Sequence, residues 1–352
     1  MASVHRFALL GCGKIANKHS EIITNLAPQA KLVSVCDLDQ NKSSDFAKKY
    51  NVEAFNDVGS MISKTSPDTI VILTPSGTHA QNIKDLSTFN INLVVEKPLA
   101  LKLDDAKMIE ELCLKKGINL SVVKQNRFNK PIVLLKNYLD QGRLGNIFLG
   151  SVRVRWSRPQ SYYDEAKWRG TWKSDGGVIT NQASHHIDMI QWLMGEVESV
   201  FAKSGNYMAN IEAEDTAIAC LNFKNGSMAT LEASTAIRPK DIEGSISVLG
   251  TKGSVEVGGF SMNNMKICDL EDFQHGLDRS TEEYSNPLND RNYAHREFYL
   301  DYLNHQDGES DRFVDSSEAL KSLSIIHAIY KSIEEGREVF LSEDNLQSKL
   351  GE

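Results

Sequence analysis

The chain has 352 residues, of which 41% are hydrophobic and 24% charged, a composition typical of a globular protein with two domains. A formal net charge of −8 disfavours nucleic acids and anionic membranes as partners, and no apolar run approaches the ~20 residues of a membrane-spanning helix. The five cysteines are scattered without CxxC spacing, which predicts free thiols, and the N-terminus has the pattern of a strand rather than a signal peptide. We therefore expect a cytoplasmic protein.

The first third of the chain alternates strand patterns with helix patterns. Short apolar runs, such as TIVILTP from Thr69 and NLVVEKP from Asn92, alternate with helical segments such as GKIANKHSEIITNL from Gly13. This alternation predicts a parallel sheet covered by helices on both faces, as in a Rossmann domain. We assign residues 1–123 to this α/β domain.

The pattern changes after about residue 124. Helices are expected in KPIVLLKNYLDQG and NQASHHIDMIQWLMG, and consecutive strand-like runs with hairpin turns follow from about Glu198. The pattern predicts an α+β domain over residues 124–335, with a large open, mostly antiparallel sheet and a last helix that ends at Gly336. Residues 336–352 are then a C-terminal tail, and no structure is predicted for residues 271–296.

The first strand leads into LLGCGKIA, which matches the pattern G-x-G-x-x-A through Gly11, Gly13 and Ala16. Gly11 permits a tight turn, Gly13 lets the backbone approach a pyrophosphate, and the N-terminus of the next helix favours negative charge. Asp37 ends the second strand, where its carboxylate would bind the ribose hydroxyls of NAD and repel the 2′-phosphate of NADP. These residues predict an NAD site; the alternative is a purely structural turn.

Two further segments follow strand ends, where ligands bind in such sheets. EKPLA begins with Glu96 and Lys97, and a lysine that ends a buried strand is in an unusual place for a merely solvated side chain. We therefore expect Lys97 to be functional and Glu96 to lie at the cofactor. The other segment, LTPSGTHA, offers four more candidate cofactor contacts: Thr74, Pro75, Ser76 and His79.

Together with GGVITNQASHHIDMIQWL, these motifs resemble the glucose–fructose oxidoreductase and inositol dehydrogenase family, Gfo/Idh/MocA, nearly end to end. The resemblance implies that Lys97 contacts both substrate and nicotinamide. It aligns the family's acidic residue, catalytic histidine and aspartate with Asn181, His185 and Asp188, and the amide at 181 puts in doubt any mechanism that needs a carboxylate there. It also implies a homodimer or homotetramer built through the open sheet, and five further cofactor contacts: Lys14, Ile15, Gln125, Trp168 and Arg169.

Within the family, VKQNRFN, SYYDEAKWRGTWKSDGG and NQASHHID resemble the UDP-N-acetylglucosaminuronate 3-dehydrogenases of bacterial surface polysaccharide synthesis. This resemblance implies oxidation of the sugar 3-hydroxyl with NAD, and in some members return of the hydride to 2-oxoglutarate. Two alternatives stay open: a neutral sugar or inositol as substrate, and a regulatory protein that senses NAD without turnover. Lys97 and His185 argue against the second, since a sensor needs neither.

Two adjacent histidines stand on the predicted helix. His185 shares a face with Asp188, whereas His186 shares a face with the apolar Ile190 and Leu193. Oxidation of a sugar alcohol needs a base for the hydroxyl proton and a cation for the developing alkoxide. We predict His185 as the base, Lys97 as the cation and a packing role for His186.

No metal is predicted, because adjacent histidines cannot both chelate from one helix face and neither HxxxH nor HExxH spacing is present. His79 is expected beside the cofactor loop. His19 and His295 stay unassigned.

The segment from Lys124 to Lys173 holds eleven basic and three acidic residues, a local excess of +8. We expect it to bind an anionic substrate such as a UDP-uronic acid, because arginine pairs bidentately with phosphates and carboxylates. On a strand, Arg153 and Arg155 would share one face. The candidate substrate contacts in this segment are Arg127, Arg153, Arg155 and Tyr163; pairing with the acidic remainder of the chain and a subunit interface are the alternatives for the arginines.

Overall fold

The computed structural model describes residues 4–271, 283–310 and 314–352. The chain divides into two compact units. Unit 1 comprises residues 1–100, 104–123 and 295–320, and unit 2 comprises residues 101–103, 124–294 and 321–352. The chain thus passes into unit 2 at residue 124, but residues 295–320, which the sequence pattern assigns to the second domain, belong to unit 1. The segment 336–352 is part of unit 2 and not a separate tail.

Unit 1 contains a six-stranded parallel sheet with the strand order β3-β2-β1-β4-β5-β6. Its strands are β1 His5–Leu10, β2 Ala30–Cys36, β3 Glu53–Phe55, β4 Thr69–Ile72, β5 Asn92–Val95 and β6 Leu120–Val122. The helices between them are α1 Ala16–Asn25, α2 Gln40–Tyr50, α3 Val58–Thr65, α4 His79–Leu86 and α5 Leu103–Lys116. The order reverses between β1 and β4, so the crossover helices on the two sides of this point cover opposite faces, and ligands bind at the carboxyl ends of the strands nearby. The predicted Rossmann sheet is confirmed.

Local sequence explains these elements. All four residues of β4 are buried, because a parallel strand is covered on both faces and therefore carries a continuous apolar run. Helices α2 and α3 each begin at a side-chain cap. The Asp39 carboxylate accepts hydrogen bonds from backbone N–H groups of the first turn of α2, and the Asp57 carboxylate accepts one from the first turn of α3.

Unit 2 contains an eight-stranded sheet with the order β13-β12-β11-β7-β10-β9-β8-β14, in which every pairing is antiparallel except β7 with β10. The helices before the later strands are α6 Lys130–Asp140, α7 Gln160–Asp164, α8 Val178–Asn181 and α9 Ser184–Met194. The strands are β7 Ile147–Arg155, β8 Val197–Gly205, β9 Thr216–Phe223, β10 Met228–Ser234, β11 Glu243–Gly250, β12 Gly253–Gly258 and β13 Asn264–Leu270. The predicted open, mostly antiparallel sheet is therefore confirmed.

The last elements are α10 Tyr293–Gln306, α11 Ser316–Glu335 and β14 Val339–Phe340. Helix α10 begins inside the segment 271–296, for which the sequence predicts no structure; residues 272–282 of that segment lie outside the described residues. None of the helices in the described ranges combines the length and the apolar character needed to cross a membrane.

One face of the large sheet is covered by α9. A Cβ at Gly150 on β7 would lie 2.9 Å from Ile190 Cδ1, so the backbone of β7 and the helix are in close contact there. Since side chains alternate along a strand, Val152 and Val154 also point toward α9 and are buried, while Arg153 and Arg155 point to the other, open face.

Candidate functional site

The glycine loop follows β1 in unit 1. Gly11 has a φ of +103°, and a Cβ there would lie 2.8 Å from the carbonyl oxygen of Leu73, so the position requires glycine. At Gly13, nothing lies within 4 Å of where a Cβ would project, which leaves the backbone open to a ligand. After Lys14 and Ile15, α1 begins with neither a capping side chain nor an acidic residue in its first turn. The loop and the helix N-terminus therefore fit the pyrophosphate of NAD.

Asp37 connects this loop to the next helix. Its Oδ2 accepts the backbone N–H of Cys12 at 2.8 Å, and its Oδ1 accepts that of Asp39 at 2.9 Å. Each carboxylate oxygen can still accept a second hydrogen bond, so the side chain is oriented and able to bind ribose hydroxyls.

Cofactor preference follows from this carboxylate. We expect the protein to use NAD in strong preference to NADP, because a 2′-phosphate would face the negative charge of Asp37. The variant Asp37→Ser should lower the ratio of kcat/KM for NAD to that for NADP. The measurement is kcat/KM for both cofactors. Asp39→Ser is the matched control, since it removes a charge two residues away while serine still caps α2. Equal use of the two cofactors by the unmodified protein would refute the prediction.

The turn after β4 contains Thr74, Pro75 and Ser76. Thr74 Oγ1 donates to Asn82 Oδ1 at 2.6 Å, which fixes the first residue of the turn. His79 is only 1% exposed, and its Nδ1 and Nε2 lie 2.7 and 2.9 Å from the carbonyl oxygens of Pro98 and Thr74. Burial lowers the pKa of His79. His79 therefore connects the loop after β4 with the loop after β5, and its contact with the cofactor stays a prediction.

Glu96 and Lys97 follow β5. The Oε1 of Glu96 lies 3.0 Å from His19 Nε2, and its Oε2 accepts the backbone N–H of Lys97 at 3.0 Å. Both oxygens of Glu96 are thus hydrogen-bonded within unit 1, which orients the carboxylate, and its contact with the cofactor stays a prediction.

The adjacent histidines open α9 in unit 2. His185 is half-buried, and its Nε2 lies 3.2 Å from the side-chain amide nitrogen of Gln125. An amide nitrogen only donates, so in this arrangement His185 Nε2 is the acceptor. His186 is fully buried with its ring edge-on to Trp156 at 6.0 Å, and burial lowers its pKa to about 3. The two rings occupy the different environments that helix periodicity predicts.

Three charged side chains beside His185, Lys124, Arg127 and Asp188, form a buried group that we call the Asp188 cluster. Arg127 donates from Nε at 2.8 Å and from Nη2 at 2.9 Å to the two oxygens of Asp188, and Lys124 Nζ lies 3.4 Å from Oδ1. All three are at most 6% exposed, and the cluster carries a net charge of +1. Burial raises the pKa of a carboxylic acid, but the charges of Arg127 and Lys124 outweigh it and hold the pKa of Asp188 at about 2.

Two residues of the Asp188 cluster, Arg127 and Asp188, are predicted substrate contacts, and that role stays a prediction. Arg127 and Asp188 bind each other bidentately, and the Arg127 guanidinium also lies over the ring of Trp192 at 5.0 Å. Their role is to fix α9 against the segment that follows β6. Lys124 is a site residue that the sequence prediction missed, although its place at the end of an apolar strand is the same signal that indicates Lys97.

Asn181 ends α8, and its Nδ2 donates to Asp175 Oδ1 at 2.5 Å. Asp175 is 3% exposed, and its other oxygen accepts the backbone N–H of Gly170 at 2.9 Å. A buried carboxylate therefore stands beside the amide that replaces the family's acidic residue. Asp175 was missed because nothing in the spacing of KSDGGVITN relates it to position 181.

Arg153 and Arg155 bind glutamates of neighbouring strands on the open face of the sheet. Arg155 donates to both oxygens of Glu232 at 2.7 Å, and Arg153 donates to Glu256 at 3.2 Å; both also pair with Glu243. They share a face, as predicted, but this face is opposite α9 and His185. The neighbouring strands therefore neutralise the charge of both arginines, and their contact with substrate stays a prediction.

The remaining predicted contacts lie in the segment 163–169. Tyr163 is buried in unit 2, its hydroxyl lies 2.9 Å from Thr235 Oγ1, and burial raises its pKa to about 12. Its contact with substrate stays a prediction. Trp168 is half-buried. Arg169 donates to the Tyr162 carbonyl oxygen and to Glu165 Oε2, and its guanidinium stacks on the Tyr162 ring at 4.2 Å.

Arg169 belongs to a group that we call the arginine–aromatic surface: Trp156, Arg158, Tyr162, Arg169 and Phe260. The rings of Trp156 and Phe260 stack at 4.6 Å with an interplanar angle of 21°, and Phe260 is 50% exposed. The Arg158 guanidinium lies 5.2 Å from the Trp156 ring and 5.7 Å from that of Tyr162. Aromatic faces and guanidinium groups together suit a nucleobase with phosphates. The recurrence of arginines beside aromatic residues in RVRWSRP and KWRGTWK was the sequence signal for it.

Comparison with known proteins assigns both parts of the chain to one oxidoreductase family. A family model described as oxidoreductase family, NAD-binding Rossmann fold, matches residues 5–124, and one described as oxidoreductase family, C-terminal alpha/beta domain, matches residues 136–341. The WlbA dehydrogenase from Chromobacterium violaceum, crystallised with NADH and UDP-GlcNAcA, is 36% identical with a TM-score of 0.90 over 98% of both chains. The WlbA dehydrogenase from Bordetella pertussis, with the same two ligands, is 35% identical with a TM-score of 0.91, over 98% of this chain and 99% of that one. Scyllo-inositol 2-dehydrogenase (NAD(+)) from Bacillus subtilis is 27% identical over 275 residues, 76% of this chain and 77% of that protein.

Proposed function

Because the chain belongs to the Gfo/Idh/MocA oxidoreductase family, we propose that it is an NAD-dependent dehydrogenase acting on the 3-hydroxyl of a UDP-N-acetylglucosaminuronic acid-type sugar in bacterial surface polysaccharide synthesis. The strongest support is the end-to-end likeness to two WlbA dehydrogenases crystallised with NADH and UDP-GlcNAcA. The arginine–aromatic surface of unit 2 supports an anionic nucleotide as part of the substrate.

His185 is the base in this proposal. Its neutral ring, with Nε2 as an acceptor, can take the proton of a sugar hydroxyl once that hydroxyl replaces the Gln125 amide as donor. Bound NAD supplies the acceptor for the hydride that leaves the carbon.

Lys97 is the cation that stabilises the developing alkoxide. Its ammonium group projects from the residue after Glu96, whose carboxylate holds the Lys97 backbone N–H. A fixed positive charge lowers the barrier where negative charge develops on the sugar oxygen.

The arginine–aromatic surface binds the UDP moiety. The exposed Phe260 ring, stacked on Trp156, offers a face for the uracil base, and the guanidinium groups of Arg158 and Arg169 offer paired donors to the diphosphate. This surface takes the role that the sequence analysis gave to Arg153 and Arg155.

Substrate preference is the test. We expect UDP-N-acetylglucosaminuronate to exceed UDP-N-acetylglucosamine in kcat/KM by about 10- to 100-fold, because a lost charge-assisted contact costs roughly 1.5–3 kcal/mol. Free inositol and glucose should be poorer still. The measurement is NADH formation with each sugar, and comparable kcat/KM for the neutral sugars would favour the inositol-type alternative that the Bacillus subtilis relative represents.

A pair of arginine variants sharpens this test. Arg158→Gln should raise KM for the UDP sugar, whereas Arg143→Gln should not. Arg143 is a matched control because it also stacks on an aromatic ring, that of Tyr138 at 4.5 Å, outside the arginine–aromatic surface. An equal change of KM in the two variants would refute the proposed UDP site.

The open face of the large sheet supports assembly into the homodimer or homotetramer that the family resemblance implies. Phe201, Ile218 and Met228 are 42%, 57% and 55% exposed. Apolar side chains grouped among the ion pairs of Arg153 and Arg155 have the composition of a subunit interface. Return of the hydride to 2-oxoglutarate is the part of the proposal that rests on resemblance alone.

A further inference from the structure

His19 and His295, which the sequence leaves without a role, lie together around Glu96 in unit 1. His19 projects from α1 and is fully buried; its Nε2 lies 3.0 Å from Glu96 Oε1 and its Nδ1 lies 2.7 Å from the Tyr299 hydroxyl. The His295 ring is edge-on to that of His19 at 5.8 Å. Helix α10 thus brings two residues to the motif that contains Lys97.

Glu96 is the hydrogen-bond acceptor of this group. Burial would raise the pKa of Glu96, but the hydrogen bond from His19 and the charges of His19, His295 and Lys97 lower it to about 2, so the side chain is a carboxylate. A carboxylate only accepts, so His19 Nε2 donates to it, and the other ring nitrogen of His19 is hydrogen-bonded to the Tyr299 hydroxyl. Burial raises the pKa of Tyr299 well above its usual value, which keeps its hydroxyl a donor.

The second oxygen of Glu96 accepts the backbone N–H of Lys97 at 3.0 Å. The orientation of the carboxylate and the orientation of the peptide that carries Lys97 are therefore linked. A change in the side chain of Tyr299 or His19 therefore reaches Lys97 through Glu96.

We propose that His19 and Tyr299 are positioning residues for Lys97 that act through Glu96. The inference rests on the proposed function, in which Lys97 is the cation of the reaction. A small displacement of a reacting group lowers the rate of the chemical step steeply, whereas cofactor binding depends on many contacts. Loss of either positioning residue should therefore lower kcat and leave cofactor affinity almost unchanged.

Two tyrosines of α10 provide a matched pair of variants. Tyr299 and Tyr302 are 0% and 1% exposed, and the hydroxyl of each forms a hydrogen bond of 2.7 Å, Tyr299 with His19 and Tyr302 with Thr69 Oγ1. Tyr299→Phe and Tyr302→Phe should therefore lower the melting temperature similarly. Only Tyr299→Phe should lower kcat, by about 3- to 10-fold, with the Kd for NADH within twofold of the unmodified protein.

His19 variants complete the experiment. His19→Gln keeps an amide that can donate to Glu96, so its kcat should lie between those of the unmodified protein and His19→Leu. Equal kcat for Tyr299→Phe and Tyr302→Phe, or losses confined to NADH affinity, would overturn the inference. The kcat of each variant is compared with that of the unmodified protein, with whichever sugar of the panel that protein oxidises fastest. A wrong substrate assignment would change which sugar is fastest, but it would not change this comparison.

Divalent metal is the competing explanation for this group. Among the residues that the structure describes, His19, Glu96 and His295 are a set whose ligand atoms lie within 4.8 Å of one another. We expect incubation with EDTA to leave kcat unchanged. A loss of activity that zinc restores would assign these side chains to a metal and overturn the positioning role.

Discussion

Replacing His185 by asparagine is expected to lower kcat by about 10²-fold or more, because the reaction loses its general base. The structure gives His185 Nε2 an acceptor role toward Gln125, which is the role a base needs toward a sugar hydroxyl. Asparagine is similar in size to part of the imidazole but has no group that takes a proton near neutral pH. Single-turnover formation of NADH measures the loss, and fluorescence titration with NADH should show unchanged cofactor affinity.

His186→Asn is the control on the neighbouring position. His186 is fully buried, and burial holds its pKa at about 3, so it stays neutral throughout the pH range of activity. Its replacement should lower stability through lost packing and leave kcat of the folded protein within a few-fold. If His186→Asn abolished turnover and His185→Asn did not, the assignment of the base would be wrong.

Asp188→Asn is expected to lower the free energy of unfolding by about 3–5 kcal/mol, the range measured when one partner of a buried ion pair is removed. The substitution leaves Arg127 and Lys124, at 6% and 4% exposure, facing an amide that carries no charge. The two buried cations would then repel each other without the carboxylate that lies between them. The midpoint of urea denaturation, with its slope, measures the loss.

Two further variants show whether charge is the cause. Lys124→Met combined with Asp188→Asn should recover part of the stability, because one uncompensated cation is removed. Asp140→Asn should cost about 0–1 kcal/mol, since Asp140 pairs with Lys136 at 58% exposure and surface ion pairs contribute little. A loss for Asp188→Asn as small as that for Asp140→Asn would mean that water, and not the carboxylate, compensates the two cations.

The parts of the fold that local sequence determines were predictable. The buried run Thr69–Ile72 predicts a parallel strand because both faces are covered, and the motif around Gly11 predicts the turn that its positive φ requires. Helix periodicity also separates the environments of His185 and His186. In each case the signal is contained within about one turn or one strand of chain.

The parts that depend on distant contacts were not predictable. Strand alternation places Arg153 and Arg155 on one face, but the contact of Gly150 with α9 decides which face that is. Asp188 finds its cations about 60 residues away in sequence, and His19 meets Tyr299 across 280 residues. No spacing rule relates positions so far apart, so the roles of these residues follow only from the three-dimensional structure.

The return of residues 295–320 to unit 1 has a consequence for biosynthesis. The ring of Tyr299 packs edge-on against Phe7 of β1 at 5.5 Å, and Asp315 forms a bridge with Ser121 at β6. A ribosome that adds about 5–20 residues per second needs on the order of 10–30 s to pass from residue 123 to residue 295. During that interval the nascent N-terminal sheet lacks its final covering helix, so the Rossmann half completes its native packing only when nearly the whole polypeptide has been made.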